Sequence, residues 1–220
     1  MITDERTAAF IDTLAGQNTP DLAELEKTAI DSGIPVIRRP MQSMLKFVLA
    51  DIRPERILEI GTATAFSAIF MATYAEGAHI DTIENYDRRI EAAKRNIKEA
   101  GMEERINLIE GDAMEVIEEL AAEKKSYDMI FIDAAKAQYL NYLPVCKEMI
   151  RDGGILISDN VLFDGDIVQS RFAVRRRDRT IHARMREYLR TLTEDEELVT
   201  VILPIGDGMT LSVKRQVENE

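Results

Sequence analysis

Tryptophan is absent from this 220-residue chain, histidine occurs twice and cysteine once. A single cysteine, Cys146, excludes an internal disulfide framework and suits a reducing compartment, so a cytoplasmic location is expected. Cys146 sits in an amphipathic helical stretch and reads as a small core residue rather than a nucleophile. His79 and His182 are isolated, which leaves no histidine-based metal or catalytic set. No apolar run approaches the roughly 20 residues that span a bilayer. The opening Met1–Arg6 stretch lacks a basic segment followed by an apolar one, so neither a membrane span nor a signal peptide is expected. Repeats, low-complexity linkers and composition breaks are also missing. One domain over residues 1–220 is the expectation, with a helical N-terminal extension (1–52) and a core (53–215).

What is present is charge and alternation. Hydrophobic residues make up 45% and charged residues 31%, the balance of a globular protein. The net charge of -12 argues against broad attraction to nucleic acid. Residues 171–190 break that pattern, with eight arginines against Asp178 and Glu187, a local excess of six positive charges. Such an island points to a local anionic partner, the alternative being a solvated helix face.

Residues 3–52 read as helical with breaks at Pro20, Pro35 and Pro40, and Thr19 caps a helix that has proline at its first position. From Arg56 onward strands and helices alternate. Strands are expected over 57–61, 79–84, 106–110, 129–133 and 155–159, and helices include 65–75 and 87–100, the latter stopped by Gly101. Alternation with short connections implies right-handed crossovers and a parallel sheet covered on both faces, an α/β fold. Two last strands, 198–203 and 209–213, flank Pro204-Ile205-Gly206-Asp207-Gly208, so one of them is expected to run antiparallel.

Two strand ends carry the chemistry. Phe131-Ile132-Asp133-Ala134-Ala135-Lys136 and Ile155-Leu156-Ile157-Ser158-Asp159-Asn160 each end an apolar run in polar residues, and strand carboxyl ends face the ligand crevice of such sheets. Two carboxylates and an amide oxygen suit a hard divalent cation such as Mg2+ and leave positions for water and a substrate with two adjacent oxygens. Lys136 beside them either accepts a hydroxyl proton or stabilises an oxyanion.

A cofactor end is also visible. Glu59-Ile60-Gly61-Thr62-Ala63-Thr64-Ala65-Phe66-Ser67 closes the first strand and opens a helix whose N-terminus offers free N–H groups. Ala63 replaces the second glycine of the dinucleotide fingerprint, which disfavours a pyrophosphate. Glu84, at the end of the second strand, is placed to accept from ribose hydroxyls, although a solvated strand-end acid is the plainer reading. Glu110-Gly111-Asp112-Ala113 ends the third strand, where an acid and an N–H can meet an adenine edge. This combination suits S-adenosyl-L-methionine better than NAD.

Glu59-Ile60-Gly61, Asp128 through Lys136 and Asp159 through Gly165 resemble the cation-dependent O-methyltransferases, the family of the catechol and caffeoyl-coenzyme A enzymes. The resemblance covers about residues 35–215. It implies a Rossmann-like class I methyltransferase sandwich: a mostly parallel seven-stranded sheet with an antiparallel C-terminal strand and extra N-terminal helices. It further implies metal ligation by Asp133, Asp159 and Asn160, and cofactor contacts at Ile37, Gly61, Ser67, Glu84, Asp112, Ala113 and Asp133. Asp133 and Lys136 become the catalytic candidates, and a homodimer is expected on the same ground. The chain departs from the family at Ala65, where a second glycine is common.

Within the family the narrower resemblance is to the bacterial enzymes that methylate 5-hydroxyuridine at the tRNA wobble position. The small size, the Asp-Ala-Ala-Lys segment and the arginine stretch carry it. Both 5-hydroxyuracil and a catechol offer two neighbouring oxygens, so the cation cage suits either, and a small phenolic substrate is the alternative. For tRNA, contacts from Arg175, Arg176, Arg177 and Arg179 to anticodon-region phosphates are expected. Tyr139 and Tyr142 are candidates for stacking on an extruded base, with core packing as the competing role.

Overall fold

A computed structural model describes residues 5–216. The expected helical character of residues 3 and 4 lies outside the described residues. Three helices come first: α1 (Glu5–Leu14), α2 (Pro20–Asp31) and α3 (Arg39–Ile52). Thr19 caps α2 by accepting from the Leu22 N–H at 3.4 Å, and Pro20 occupies the first turn, where its missing N–H costs no hydrogen bond.

The remaining chain builds one sheet from β1 (Arg56–Ile60), β2 (His79–Glu84), β3 (Ile106–Glu110), β4 (Tyr127–Ile132), β5 (Ile150–Ser158), β6 (Leu198–Leu203) and β7 (Met209–Lys214). Its order is β3-β2-β1-β4-β5-β7-β6. Only β7 runs antiparallel, paired with β5 on one side and β6 on the other. Helices α4 (Phe66–Tyr74), α5 (Asp87–Glu99), α6 (Ala113–Ala122), α7 (Tyr139–Met149) and α8 (Arg179–Glu194) complete the α/β fold.

Period-two alternation divides the core. Ile57, Met129, Phe131, Ile155 and Ile157 face the layer containing Leu45, Phe70 and Met71, while Leu58, Ile60, Ile130, Ile132 and Leu156 face Leu143, Met185 and Tyr188. All of these side chains are buried, each contributing about 1.5–3 kcal/mol against exposure. Strands apolar on both faces belong in a sheet covered on both sides.

Two strands are longer than expected. β4 begins at Tyr127 because its buried ring places the hydroxyl 2.8 Å from Asp81 Oδ2. β5 begins at Ile150, which pairs with Tyr127 before the register shifts and resumes at Met129↔Ile155. Gly153 and Gly154 lie in that irregularity, where a glycine pair suggests a stop in the sequence but forms a bulge in space. A Cβ on Gly154 would come within 2.8 Å of the Arg151 carbonyl oxygen.

Register sets the site. Ile60 aligns with Ile132 and Ile132 with Ser158, so Gly61, Asp133 and Asp159 emerge side by side from β1, β4 and β5. The ladders run one residue further, with Asp133 N donating to Ile60 O and Asp159 N to Ile132 O, both at 3.0 Å. The chain turns outward from β1 to β2 and β3 before returning to β4, so a crevice opens at the β1/β4 junction.

Candidate active site

A cavity of about 710 Å³ occupies that crevice, within the range of small-molecule sites. Ile37, Gly61, Ser67, Glu84, Asp112, Ala113, Asp133, Lys136, Asp159 and Asn160 all line it. The residues expected to hold a cofactor and a metal therefore share one space.

On the β1–β3 side, backbone groups shape the cavity. Gly61 has φ +107°, and a Cβ there would sit 2.1 Å from the Asp133 carbonyl oxygen. The close approach that demands glycine is thus to the neighbouring strand's own backbone. Ala63 and Ala65 also take left-handed conformations, φ 47° and 67°, at a cost of roughly 1–2 kcal/mol each. Ala65 is the N-cap of α4 and supplies no capping side chain, so the first N–H groups of that helix remain open beside buried Ser67.

Glu84 is buried and accepts three backbone hydrogen bonds, from Ala63 N to Oε2 at 2.9 Å and from Asn85 N and Tyr86 N to Oε1 at 3.0 and 3.1 Å. An ionised carboxylate has about four acceptor sites, so Glu84 clamps two turns together and retains capacity for a ligand hydroxyl. Asp112 caps α6, with Oδ1 accepting from Met114 N at 2.9 Å. Ile37, in the segment before α3, supplies an apolar wall.

Electrostatics differ on the β4–β5 side. Burial pushes the Asp159 carboxyl up to about 7, and the neighbouring charge of Asp133 adds to the shift. The Asp133 carboxyl is also raised by burial, against the lowering influence of Lys136, Arg89 and Asn160. Asn160 takes a left-handed φ of 61°, a conformation asparagine tolerates. It donates Nδ2 to Asp133 Oδ1 at 3.2 Å, and its N–H reaches Asp159 Oδ1 at 2.6 Å. Among the described residues no group of three or more His, Cys, Asp and Glu side chains is arranged for a metal. The cluster here has two acids and an amide. Two buried carboxylates short of positive charge, next to an amide oxygen, fit a hard divalent cation.

Lys136 opens a short 3-10 turn (Lys136–Gln138), and its Nζ lies 4.9 Å from the centroid of the Phe163 ring. Tyr139 does not face the cavity. It is fully buried, donates to Asp159 O at 3.1 Å and accepts from Ala134 N at 3.3 Å, tying together the ends of β4 and β5. Core packing therefore takes Tyr139 out of any stacking role. Tyr142 is buried too but keeps an edge on the cavity. Cys146 is buried and its thiol is pushed up to about 12 by burial, which makes it inert.

The arginines divide into two groups. Arg179 donates to Val174 O at 3.3 Å and Arg186 to Ile167 O at 2.8 Å, so these two brace the loop that follows Asn160. The arginine island is thus partly structural, and Arg179, expected to contact phosphate, is committed to a backbone carbonyl. Arg175, Arg176 and Arg177 are exposed. His182 is buried against Gln169 O at 3.2 Å and takes no part in the site.

Two features escape a reading by motif. Glu59 is fully buried within β1 and accepts from Thr82 Oγ1 at 2.5 Å, while its Oε1 has no hydrogen-bond partner among the described residues. An acid inside an apolar strand run was the available signal. Asp207 lines the cavity from the β6–β7 loop and pairs with Arg38 at 2.8 Å across its mouth. No local pattern announces that pair, because the two residues meet only once β7 has inserted.

Comparison with known proteins places this geometry. An O-methyltransferase family model matches residues 14–215. The chain belongs to the cation-dependent O-methyltransferase family. It is an S-adenosylmethionine-dependent O-methyltransferase of the caffeoyl-coenzyme A and catechol type. A caffeoyl-CoA O-methyltransferase of Medicago sativa is 31% identical over 76% of this chain and 70% of its own length. A catechol O-methyltransferase of Niastella koreensis is 29% identical over 72% of this chain and 74% of its own length. Among solved structures, a candidate caffeoyl-CoA O-methyltransferase from Staphylococcus aureus superposes with a TM-score of 0.87 at 31% identity, over 96% of this chain and 100% of that one. The SAH-bound Podospora anserina methyltransferase PaMTH1 gives 0.85 at 25% identity, over 96% and 95%. No helix among the described residues of the enzyme is long and apolar enough to cross a membrane.

Proposed function

We propose that the enzyme methylates a ring hydroxyl flanked by a second oxygen, and that its acceptor is 5-hydroxyuridine at the wobble position of tRNA in the cytoplasm. The observation that carries the reaction is the emergence of Gly61, Asp133 and Asp159 from adjacent strands, which sets a cofactor turn against two buried carboxylates. Asp133, Asp159 and Asn160 would hold a divalent cation such as Mg2+, which when bound would lower the cost of ionising the acceptor hydroxyl.

The chain's own residues do the rest. Glu84 receives the ribose hydroxyls, the open α4 N-terminus and Ser67 receive the methionine carboxylate, and Asp112 and Ala113 bound the adenine. Lys136 stands beside the acidic pair, where it takes the acceptor's proton or, as an ammonium, stabilises the oxyanion. Tyr139 keeps Asp159 in register with β4.

The choice of tRNA rests on the exposed arginines of the loop between Asn160 and α8. Among the described residues Arg171, Arg175 and Arg176 form no ion pair, on a protein of net charge -12. Phosphates are the ligand such a patch attracts. Nucleoside mass spectrometry of tRNA lacking the modification, before and after incubation with enzyme, cofactor and Mg2+, should show conversion of 5-hydroxyuridine to 5-methoxyuridine. An unchanged nucleoside profile alongside brisk methylation of caffeate or catechol would establish the second reading, a small-phenol methyltransferase, which the names of the Medicago and Niastella relatives favour.

The N-terminal helices support a homodimer. Phe10 and Leu14 of α1 and Phe47 of α3 are 62%, 69% and 69% exposed, apolar side chains that a second copy would cover. Light scattering at micromolar concentration should give twice the chain mass, and a monomer mass would end this part of the reading.

A further inference from the structure

We propose that Phe172, flanked by Arg171 and Arg175, is a stacking platform for a nucleotide next to the base being methylated. The inference rests on the tRNA reading of the active site and adds a second point of RNA contact outside the cavity.

Phe172 is 84% exposed, the most open large apolar side chain among the described residues. An aromatic ring left in water forgoes the burial that stabilises a fold, so its position asks for a reason. The surrounding backbone is held in place. Val174 is buried, Ala173 N donates to Ser170 O and Asp178 N to Arg175 O, both at 2.9 Å, and His182 meets Gln169 O. Arg179 packs its guanidinium 5.9 Å from the Phe172 ring centroid and is itself tied to the Val174 and Phe172 carbonyls at 3.3 and 3.5 Å. The ring therefore rests against a fixed cation while most of its surface stays open.

Location and charge identify the ligand. The segment leaves the cavity directly after Asp159 and Asn160, passes through a 3-10 turn (Phe163–Val168) and returns into α8. That helix packs against the Lys136–Gln138 turn, and Arg184 donates to Asn141 Oδ1 at 2.6 Å. Phe172 thus lies on the loop that joins the proposed metal residues to the helix bordering Lys136. An exposed aromatic ring among unpaired arginines matches the alternation of π faces and phosphates in single-stranded RNA. A phenol the size of catechol offers no phosphate to such a patch.

The test uses an anticodon stem-loop RNA carrying 5-hydroxyuridine, with Phe172→Leu and Phe172→Trp. Leucine keeps the apolar bulk and removes the ring, while tryptophan keeps a stacking face. Phe172→Leu should raise KM for the stem-loop about 10-fold with kcat little changed, and Phe172→Trp should retain the wild-type KM. The dissociation constant for the same RNA, measured by fluorescence anisotropy, should move in parallel. Equal KM values for wild type and Phe172→Leu would overturn the platform while leaving the tRNA reading intact. A change in oligomeric mass with Phe172→Leu would also overturn it, by assigning the ring to a contact between copies. If wild-type enzyme leaves the stem-loop unmethylated but methylates catechol, the substrate reading fails and the platform falls with it.

Discussion

On the β1–β3 side of the cavity, Glu84 and Asp112 are already engaged by backbone N–H groups, and the turn after β1 is locked against the neighbouring strand at Gly61. Across the cavity Asp133 and Asp159 are buried with too little positive charge around them, and the loop beyond them carries exposed arginines and an exposed ring. The first half is finished before any ligand arrives. A cofactor that meets preorganised groups spends little of its binding energy on ordering the protein. The second half holds like charges in a low-dielectric setting, and in the proposed function a cation and an anionic acceptor would complete it.

Gly61→Ala breaks the finished half and should have the largest effect. The new Cβ would meet the Asp133 carbonyl oxygen at 2.1 Å, backbone against backbone, at a φ that favours glycine. Either β1 parts from β4 or the turn moves. Titration calorimetry should find no S-adenosylmethionine binding, and methyl transfer should fall at least about 100-fold. Wild-type affinity in the variant would show that the turn is more compliant than its geometry implies.

Asp159→Asn probes the unfinished half, and here stability and activity should move in opposite directions. The amide keeps an oxygen for the Asn160 N–H, while a costly buried acid disappears. Cation-free protein should gain about 1 kcal/mol of stability, read as a higher Tm, whereas kcat/KM should drop about 100-fold or more. A lower Tm would mean that Asp159 is satisfied in the empty site, and the contrast between the halves would collapse.

Legibility in the sequence followed the same division. Strands β2, β3 and β6 sit at their expected residues because turn formers bound each apolar run. The early starts of β4 and β5 were hidden, since pairing across the Gly153–Gly154 irregularity depends on a partner strand and not on local propensity. Asp133, Asp159 and Asn160 stood out as polar residues ending buried strands, and parallel register was enough to bring them together. Tyr139 was ambiguous because its bonds to Asp159 and Ala134 cross between loops. The split among the arginines was equally invisible: Arg179 and Arg186 are anchored by carbonyls whose positions only the folded loop defines.

Glu59 offers the subtlest measure of how the two halves communicate. It lies beneath the turn that carries Gly61, and its carboxyl is raised from 4.5 to about 8, chiefly by burial, with smaller contributions from Asp133 and Glu84 against the lowering effect of its bond from Thr82. Because the folded state holds this proton more tightly than the unfolded chain, the associated stability is complete below about pH 4.5 and is lost as pH rises through 8. Glu59→Gln removes the titration and keeps the shape. The Tm of wild type should therefore decline against that of the variant by several degrees as pH rises from about 5 to about 8. A tenfold difference in proton affinity is worth about 1.4 kcal/mol, and each kcal/mol moves the Tm of a domain this size by about 2–4 °C. Asp159 titrates in the same direction but is present in both proteins, so its share largely cancels from the difference. A constant offset between the two melting curves across that range would mean that Glu59 is already ionised, stabilised by a group on the cofactor side that the hydrogen-bond pattern does not reveal.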